Sequence, residues 1–215
     1  MRLGSFYRTE TLGRLGFTPP PRSSVLDVGC HDGVVAYRSG GGLRVGVDIQ
    51  PQRRYPIHYV RGDGTRLPFR SNSFDWVFAL EVIEHVRRRE ELIASALRVL
   101  RPGGTLLISV PHLGMRVFPA FLTGWLHVRW GHDAGFRGIG EDEIRRMIPP
   151  GRVSDVRFLH WRGLAFLRGY FFLRLAWRVV PTIGRRWAHR VAERDARGSH
   201  RNDKGYTLYA IIRKS

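Results

Sequence analysis

The sequence predicts a doubly wound α/β fold with a mostly parallel sheet, and three observations carry that expectation. Strand-like apolar runs alternate with helix-like segments over the first hundred residues. A glycine-bearing loop joins the first strand to a helix, where such folds bend sharply. The chain has 215 residues, of which 43% are hydrophobic and 25% charged, enough for one domain with a real core and too apolar for a disordered chain.

The elements follow in order. Residues 5–16 suit a short helix that Pro19, Pro20 and Pro21 cannot continue. Residues 24–29 read as a buried strand, 43–48 as a second, 57–61 as a weaker third and 74–80 as a fourth. A helix over 90–100 carries Leu92, Ile93, Ala96, Leu97 and Leu100 on one face, and Pro102-Gly103-Gly104 stops it before a fifth strand at 105–110. After Pro111 the pattern loosens. Residues 112–137 read as a lid with Phe118, Phe121, Trp125 and Trp130. Residues 141–148 suit a short helix and 153–161 a sixth strand. Residues 162–204 are apolar segments punctured by arginines, and 205–212 close the chain as a strand. The expected organisation is a single domain over 1–215: a ligand-binding core at 24–111, a lid at 112–137 and a basic aromatic insertion at 162–204.

Charge and cysteine content exclude several classes. The 36 basic and 18 acidic side chains give +18, and only Lys204 and Lys214 are lysines. A GC-rich genome explains arginine over lysine but not the shortage of acids. The excess therefore points to a polyanion, either nucleic acid or an anionic membrane surface. Cys30 is the one cysteine, so neither an intrachain disulfide nor a cysteine-based zinc site can form. Residues 1–5 do not read as a secretory leader, and no run of 18 uncharged apolar residues occurs; the expected address is the cytoplasm, with a peripheral position at a membrane as its variant.

The first chemical signal is Asp27-Val28-Gly29-Cys30-His31-Asp32-Gly33. Gly29 allows a tight turn off the strand end, and Gly33 a close backbone approach to a ligand. Asp48, at the end of the next strand, can accept hydrogen bonds from both hydroxyls of a ribose. The Gly-x-Gly-x-x-Gly spacing of dinucleotide sites is absent, and Asp32 would stand where a pyrophosphate docks. A ligand with a ribose, no phosphate and a cationic centre suits this loop better. S-adenosylmethionine is such a ligand.

Five segments over residues 24–111 resemble, in order, the motifs of class I S-adenosylmethionine-dependent methyltransferases, and most closely the ubiquinone/menaquinone-biosynthesis-like (type 11) subgroup. They are Val25 to Gly33, Gly46-Val47-Asp48-Ile49, Gly62 to Phe69, Ser73 to Val86, and Leu100 to Leu106. The middle glycine of the family's Gly-x-Gly-x-Gly is His31 here. The resemblance implies a Rossmann-like, mostly parallel seven-stranded sheet with helices on both faces and an inserted helical lid before the last strand. It also implies S-adenosylmethionine as cofactor. Gly29, Cys30 and Gly33 would face its methionine part, with Asp27 orienting the loop. Asp48 and Ile49 would hold the ribose and adenine. Asp63, with Gly64 beside it, would bond the adenine amino group, and Leu80 and Glu81 would line the cofactor after the fourth strand.

His85, just past that strand, is the candidate general base for an acceptor that carries a proton. Glu81, Glu84 and His85 stand at i, i+3 and i+4, one face of a helix start, where two carboxylates and an imidazole could hold magnesium. That pattern resembles the metal-ligating segment of small-RNA 3′-terminal 2′-O-methyltransferases, with His132 as the downstream match; metal-free methyltransferases carry Ile-Glu-His here too, and no metal is assigned. Between 162 and 194, aromatics alternate with arginines. That suits an interfacial helix on anionic lipid, a nucleic-acid surface, or a helix closing the acceptor pocket. The expected activity is methyl transfer to a small or lipophilic acceptor. The alternatives are an RNA methyltransferase and a binding module without turnover.

Overall fold

A computed structural model describes residues 3–113, 120–129, 136–161, 163–197 and 206–215. Among the expected features, Phe118, Trp130, His132 and Arg162 lie outside these. The elements run α1 (Leu3–Arg14), β1 (Ser24–Val28), α2 (Val34–Arg38), β2 (Leu43–Asp48), β3 (His58–Arg61), β4 (Phe74–Leu80), α3 (Arg89–Val99), β5 (Leu100–Pro111), α4 (Thr123–Arg129), α5 (Glu141–Met147), β6 (Val153–Trp161), α6 (Leu164–Val179), α7 (Pro181–Arg197) and β7 (Thr207–Lys214).

Seven strands form one sheet in the order β3-β2-β1-β4-β5-β7-β6. β1 to β5 run parallel, and β7 inserts antiparallel between β5 and β6. The Rossmann-like, mostly parallel seven-stranded fold is therefore present, and the sheet reverses its winding between β1 and β4. Crevices at such reversals, outside the carboxyl ends of the strands, are where α/β sheets bind ligands.

Side chains alternate between the two faces of the sheet. Leu26, Val28, Leu106, Ile108, Leu208 and Ala210 join one core with Leu92, Ile93 and Ala96 of α3 and Ile144 and Met147 of α5. Val25, Phe78, Leu107 and Tyr209 face the other way, against α1, α2, α6 and α7. Each of these large apolar side chains contributes roughly 1.5–3 kcal/mol by leaving water.

The arginine-rich insertion is a helical hairpin, and its inner side is core: Phe166, Leu173, Ala188, Val191 and Ala192 are buried with α1. Gly184 makes the close crossing possible, because a Cβ there would lie 2.5 Å from the Trp177 Cα. The fifth strand starts earlier than its sequence suggests. Leu100 already pairs with Phe74, and an irregularity in the β4–β5 register then absorbs Arg101 to Gly104, with Gly103 at φ 72°. No helix among the described residues is long and apolar enough to cross a membrane.

Candidate active site

A cavity of about 1120 Å³ opens at the carboxyl ends of β1, β2 and β4. One half is built by the loops after those strands. Gly29 takes φ 72°, and a Cβ there would fall 2.7 Å from Val82 Cγ2. Only glycine makes that turn without a clash. His31, standing for the family's middle glycine, also adopts a left-handed backbone, at φ 46°. Its N–H donates to Asp48 Oδ2 at 2.9 Å, while Asp48 Oδ1 accepts from the Gln50 N–H at 2.8 Å. The ends of β1 and β2 are thus tied by Asp48, which lines the cavity together with exposed Ile49.

Asp63 and Gly64 line the opposite wall. Asp63 Oδ1 accepts from the Thr65 N–H at 2.8 Å; that bond, ahead of Arg88 nearby, holds its carboxyl below the ordinary range. Leu80 and Glu81 end β4 at the cavity floor. Glu81 sits at φ 53°, a left-handed conformation uncommon for a non-glycine residue, with the Ser109 hydroxyl donating to its Oε1 at 2.9 Å. Backbone strain of this kind concentrates at functional sites.

Three expected cofactor residues lie off the cavity wall. Cys30 points into the gap beside Gly46, where a Cβ would lie 2.7 Å from its Sγ; burial pushes its thiol up. Gly33 faces β3 instead, its free side filled by the Tyr59 hydroxyl, which donates to the Asp32 carbonyl at 2.6 Å. Gly33 therefore permits packing between the loop and β3. Asp27 is buried behind the loop, toward Arg8 and the Ala36 N–H, and its Oδ2 has no hydrogen-bond partner. Asp32 does not present its charge to the cavity either, because its Oδ1 accepts from the Val34 N–H at the start of α2.

Burial pushes Asp27 up from 3.8 to about 7, against the pull of Arg8. The folded state then holds the Asp27 proton more tightly than the unfolded chain does. Stability that is full below the ordinary carboxylate pKa is lost as pH rises toward about 7. Asp27→Asn is expected to melt higher than the parent at pH 8 and to lose that advantage at pH 4, by calorimetry. An equal difference at both pH values would place the ionisation elsewhere.

Glu81, Glu84 and His85 do not form one helical face. Glu81 belongs to the strand end, and only Ile83–His85 form a 3-10 turn, with Glu84 buried and His85 exposed at the cavity. Burial, and then Glu81, push the Glu84 carboxyl well above the ordinary range. Among the described residues, no group of three His, Cys, Asp or Glu side chains is placed to hold a metal ion.

The other half of the cavity is aromatic. Tyr7 of α1, Trp161 of β6, Phe166, Tyr170 and Trp177 of α6, and Tyr206 and Tyr209 line it. Tyr7 stacks on Phe166 with ring centroids 4.0 Å apart, which docks α1 against α6. Arg8 enters the same space and donates from Nη1 to the Leu80 carbonyl at a long 3.5 Å. Phe166, Tyr170 and Trp177 fall in the 162–194 segment, for which a helix closing the acceptor pocket is one reading, whereas Arg8, Tyr7, Trp161, Tyr206 and Tyr209 are not identifiable as lining residues from sequence. The five motifs end at residue 111, and Arg8 stands on a helix whose only sequence signal is an apolar stripe.

The family model described as a methyltransferase domain (type 11) matches residues 26–108. Residues 26–108 are thus similar to a methyltransferase domain, and the fold agrees with that similarity. The chain is 30% identical over 151 residues to an uncharacterised methyltransferase of Mycobacterium tuberculosis, covering 60% of this chain and 55% of that one. It is 37% identical over 112 residues to a demethylmenaquinone methyltransferase of Mycobacterium sp. (strain KMS), covering 48% and 47%. The chain thus spans about half the length of the curated relatives it matches. An S-adenosylmethionine-dependent methyltransferase of Thermotoga maritima has a similar fold, with TM-score 0.65 and 14% identity over 97% of this chain and 89% of that one. So does the phosphoethanolamine N-methyltransferase 2 of Haemonchus contortus in complex with S-adenosylmethionine: TM-score 0.64, 15% identity, 99% and 57% covered.

Proposed function

We propose that the chain transfers a methyl group from S-adenosylmethionine to a small, lipophilic acceptor. The observation that carries this reading is one continuous cavity that joins a glycine-and-acid half to an aromatic half across the turn at Glu81–His85. The residues fit the cofactor. Gly29 and Gly64 line the cavity with bare backbone, and Asp48 offers a carboxylate at the ribose position. Ile49 gives an apolar surface for the adenine, and Asp63 stands at the rim for its amino group. S-adenosylmethionine supplies a methyl already activated on a sulfonium, so the protein's work is alignment and exclusion of water. Tyr170, Trp177 and Tyr206 keep the acceptor half dry, and His85 receives the acceptor's proton. The mycobacterial relative named for demethylmenaquinone supports a lipophilic acceptor of modest size.

Extracts of native cells incubated with methyl-labelled cofactor test the reading: label is expected in the lipid-soluble fraction. Label in RNA would replace the acceptor class, and no labelled product at all would favour a binding module. Asp48→Ala is expected to weaken cofactor binding in calorimetry by about 1–3 kcal/mol, because the ribose hydroxyls and the His31 and Gln50 N–H groups lose their acceptor. Unchanged affinity would remove Asp48 from the site.

A further inference from the structure

The hairpin of α6 and α7 has an outer surface that the cavity does not use. Phe172, Leu175 and Val179 stand at i, i+3 and i+7 on α6 and are 68, 61 and 67% exposed. Ile183 and Trp187, at i and i+4 on α7, continue the apolar surface past the turn at Val180, with Ile183 58% exposed. Large apolar side chains seldom cluster in water on a monomer. Exposed arginines flank them: Arg168 on α6, and Arg185, Arg186 and Arg190 on α7. The only acids on the two helices are Glu193 and the buried Asp195, both in the last turns of α7. The opposite side of α6 lines the cavity through Phe166, Tyr170, Arg174, Trp177 and Arg178.

We infer that this hairpin docks the protein on an anionic lipid surface, with Phe172, Leu175, Val179, Ile183 and Trp187 entering the interface and the flanking arginines meeting lipid phosphates. Apolar side chains between cations are what an interfacial helix needs. A second copy of the chain fits poorly, because two such faces would bring like-charged arginine rows together. Nucleic acid fits poorly too, because Leu175, Val179 and Ile183 can neither stack on bases nor bond phosphates. The inference deepens the lipophilic-acceptor reading by naming where that acceptor is met: α6 has one side on the bilayer and the other on the cavity.

Co-sedimentation with vesicles of equal parts phosphatidylcholine and phosphatidylglycerol tests it, with phosphatidylcholine alone as comparison. The protein is expected to sediment with the anionic vesicles only. Leu175→Glu should weaken that binding about tenfold through the lost apolar insertion. Removing Arg185 and Arg186 should weaken it roughly fivefold each. These positions are exposed, and unchanged calorimetric titration with S-adenosylmethionine checks that the variants are folded. The inference fails if the protein ignores anionic vesicles, if it binds phosphatidylcholine equally, or if Leu175→Glu sediments like the parent. It also fails if the parent is a dimer by light scattering that Leu175→Glu separates, which would make the face a homotypic interface. Loss of vesicle binding to competing RNA, with RNA affinity indifferent to Leu175→Glu, would overturn it in favour of nucleic acid. Vesicle binding needs no turnover. Methyl transfer without docking would therefore sink this inference alone, and docking without methyl transfer would sink only the proposed activity.

Discussion

Asp195→Ala is expected to destabilise the fold by about 3–5 kcal/mol, a large share of the roughly 5–15 kcal/mol that holds a domain of this kind. The first N–H groups of any helix lack partners within it. At the start of α6, Asp195 of α7 supplies them, accepting from the Ala165 N–H at 2.8 Å and the Phe166 N–H at 3.1 Å. Its Oδ2 also accepts from the Tyr7 hydroxyl at 2.6 Å, and that hydroxyl accepts from Trp161 Nε1 at 2.8 Å. One buried carboxylate thus ties α1, β6, α6 and α7 together. Alanine would strand two backbone donors and a buried hydroxyl, each costing about 1–3 kcal/mol. Asp195→Asn, which keeps acceptor oxygen but no charge, should fall between the two. Urea unfolding is the measurement. A midpoint for the alanine variant close to the parent's, at unchanged slope, would show that water replaces the carboxylate without cost.

The glycine-and-acid half of the cavity was legible because its sequence signals are local. A strand, a glycine turn and an acid one strand later can be read from spacing alone, and Gly29 and Asp48 line the cavity; Asp63 and Glu81, named only through the resemblance, line it too. The sequence could not say which way each loop side chain turns. Cys30 turns toward Gly46 because only a glycine opposite leaves room for sulfur, and Gly33 turns toward β3 because Tyr59, 26 positions on, fills the space. The same limit hid Asp195, which reads as one more acid on a basic helix. It hid Arg8, whose neighbours Asp27, Glu84 and Tyr206 come from three distant segments. It also hid the antiparallel placement of β7, since an apolar run carries no direction. Nor does the i, i+3, i+4 spacing of Glu81, Glu84 and His85 survive, because a strand end turns sharply there before any helix begins.

For a hydroxyl acceptor, His85→Ala is expected to slow the methyl-transfer step by about 10²–10⁴-fold while cofactor affinity stays at the parent value. The prediction follows from what else lines the reacting end of the cavity. Burial, followed by Glu81, raises the Tyr206 and Tyr209 hydroxyls far beyond neutrality, so neither can take a proton there. Glu84 is buried in the turn, its carboxyl pushed well above the ordinary range by burial and then by Glu81. Glu81 has its Oε1 engaged by Ser109. His85 is exposed at the cavity on a turn whose backbone is fixed by its N–H donating to the Val82 carbonyl at 3.1 Å. It is therefore the imidazole that the turn presents to the cavity. Single-turnover kinetics separates the chemical step from binding, and added imidazole should restore part of the rate if the missing function is a base. A variant that turns over at the parent rate would make His85 a rim residue. A slow variant that imidazole does not rescue, with the cofactor still bound at parent affinity, would make its role the shaping of the Ile83–His85 turn.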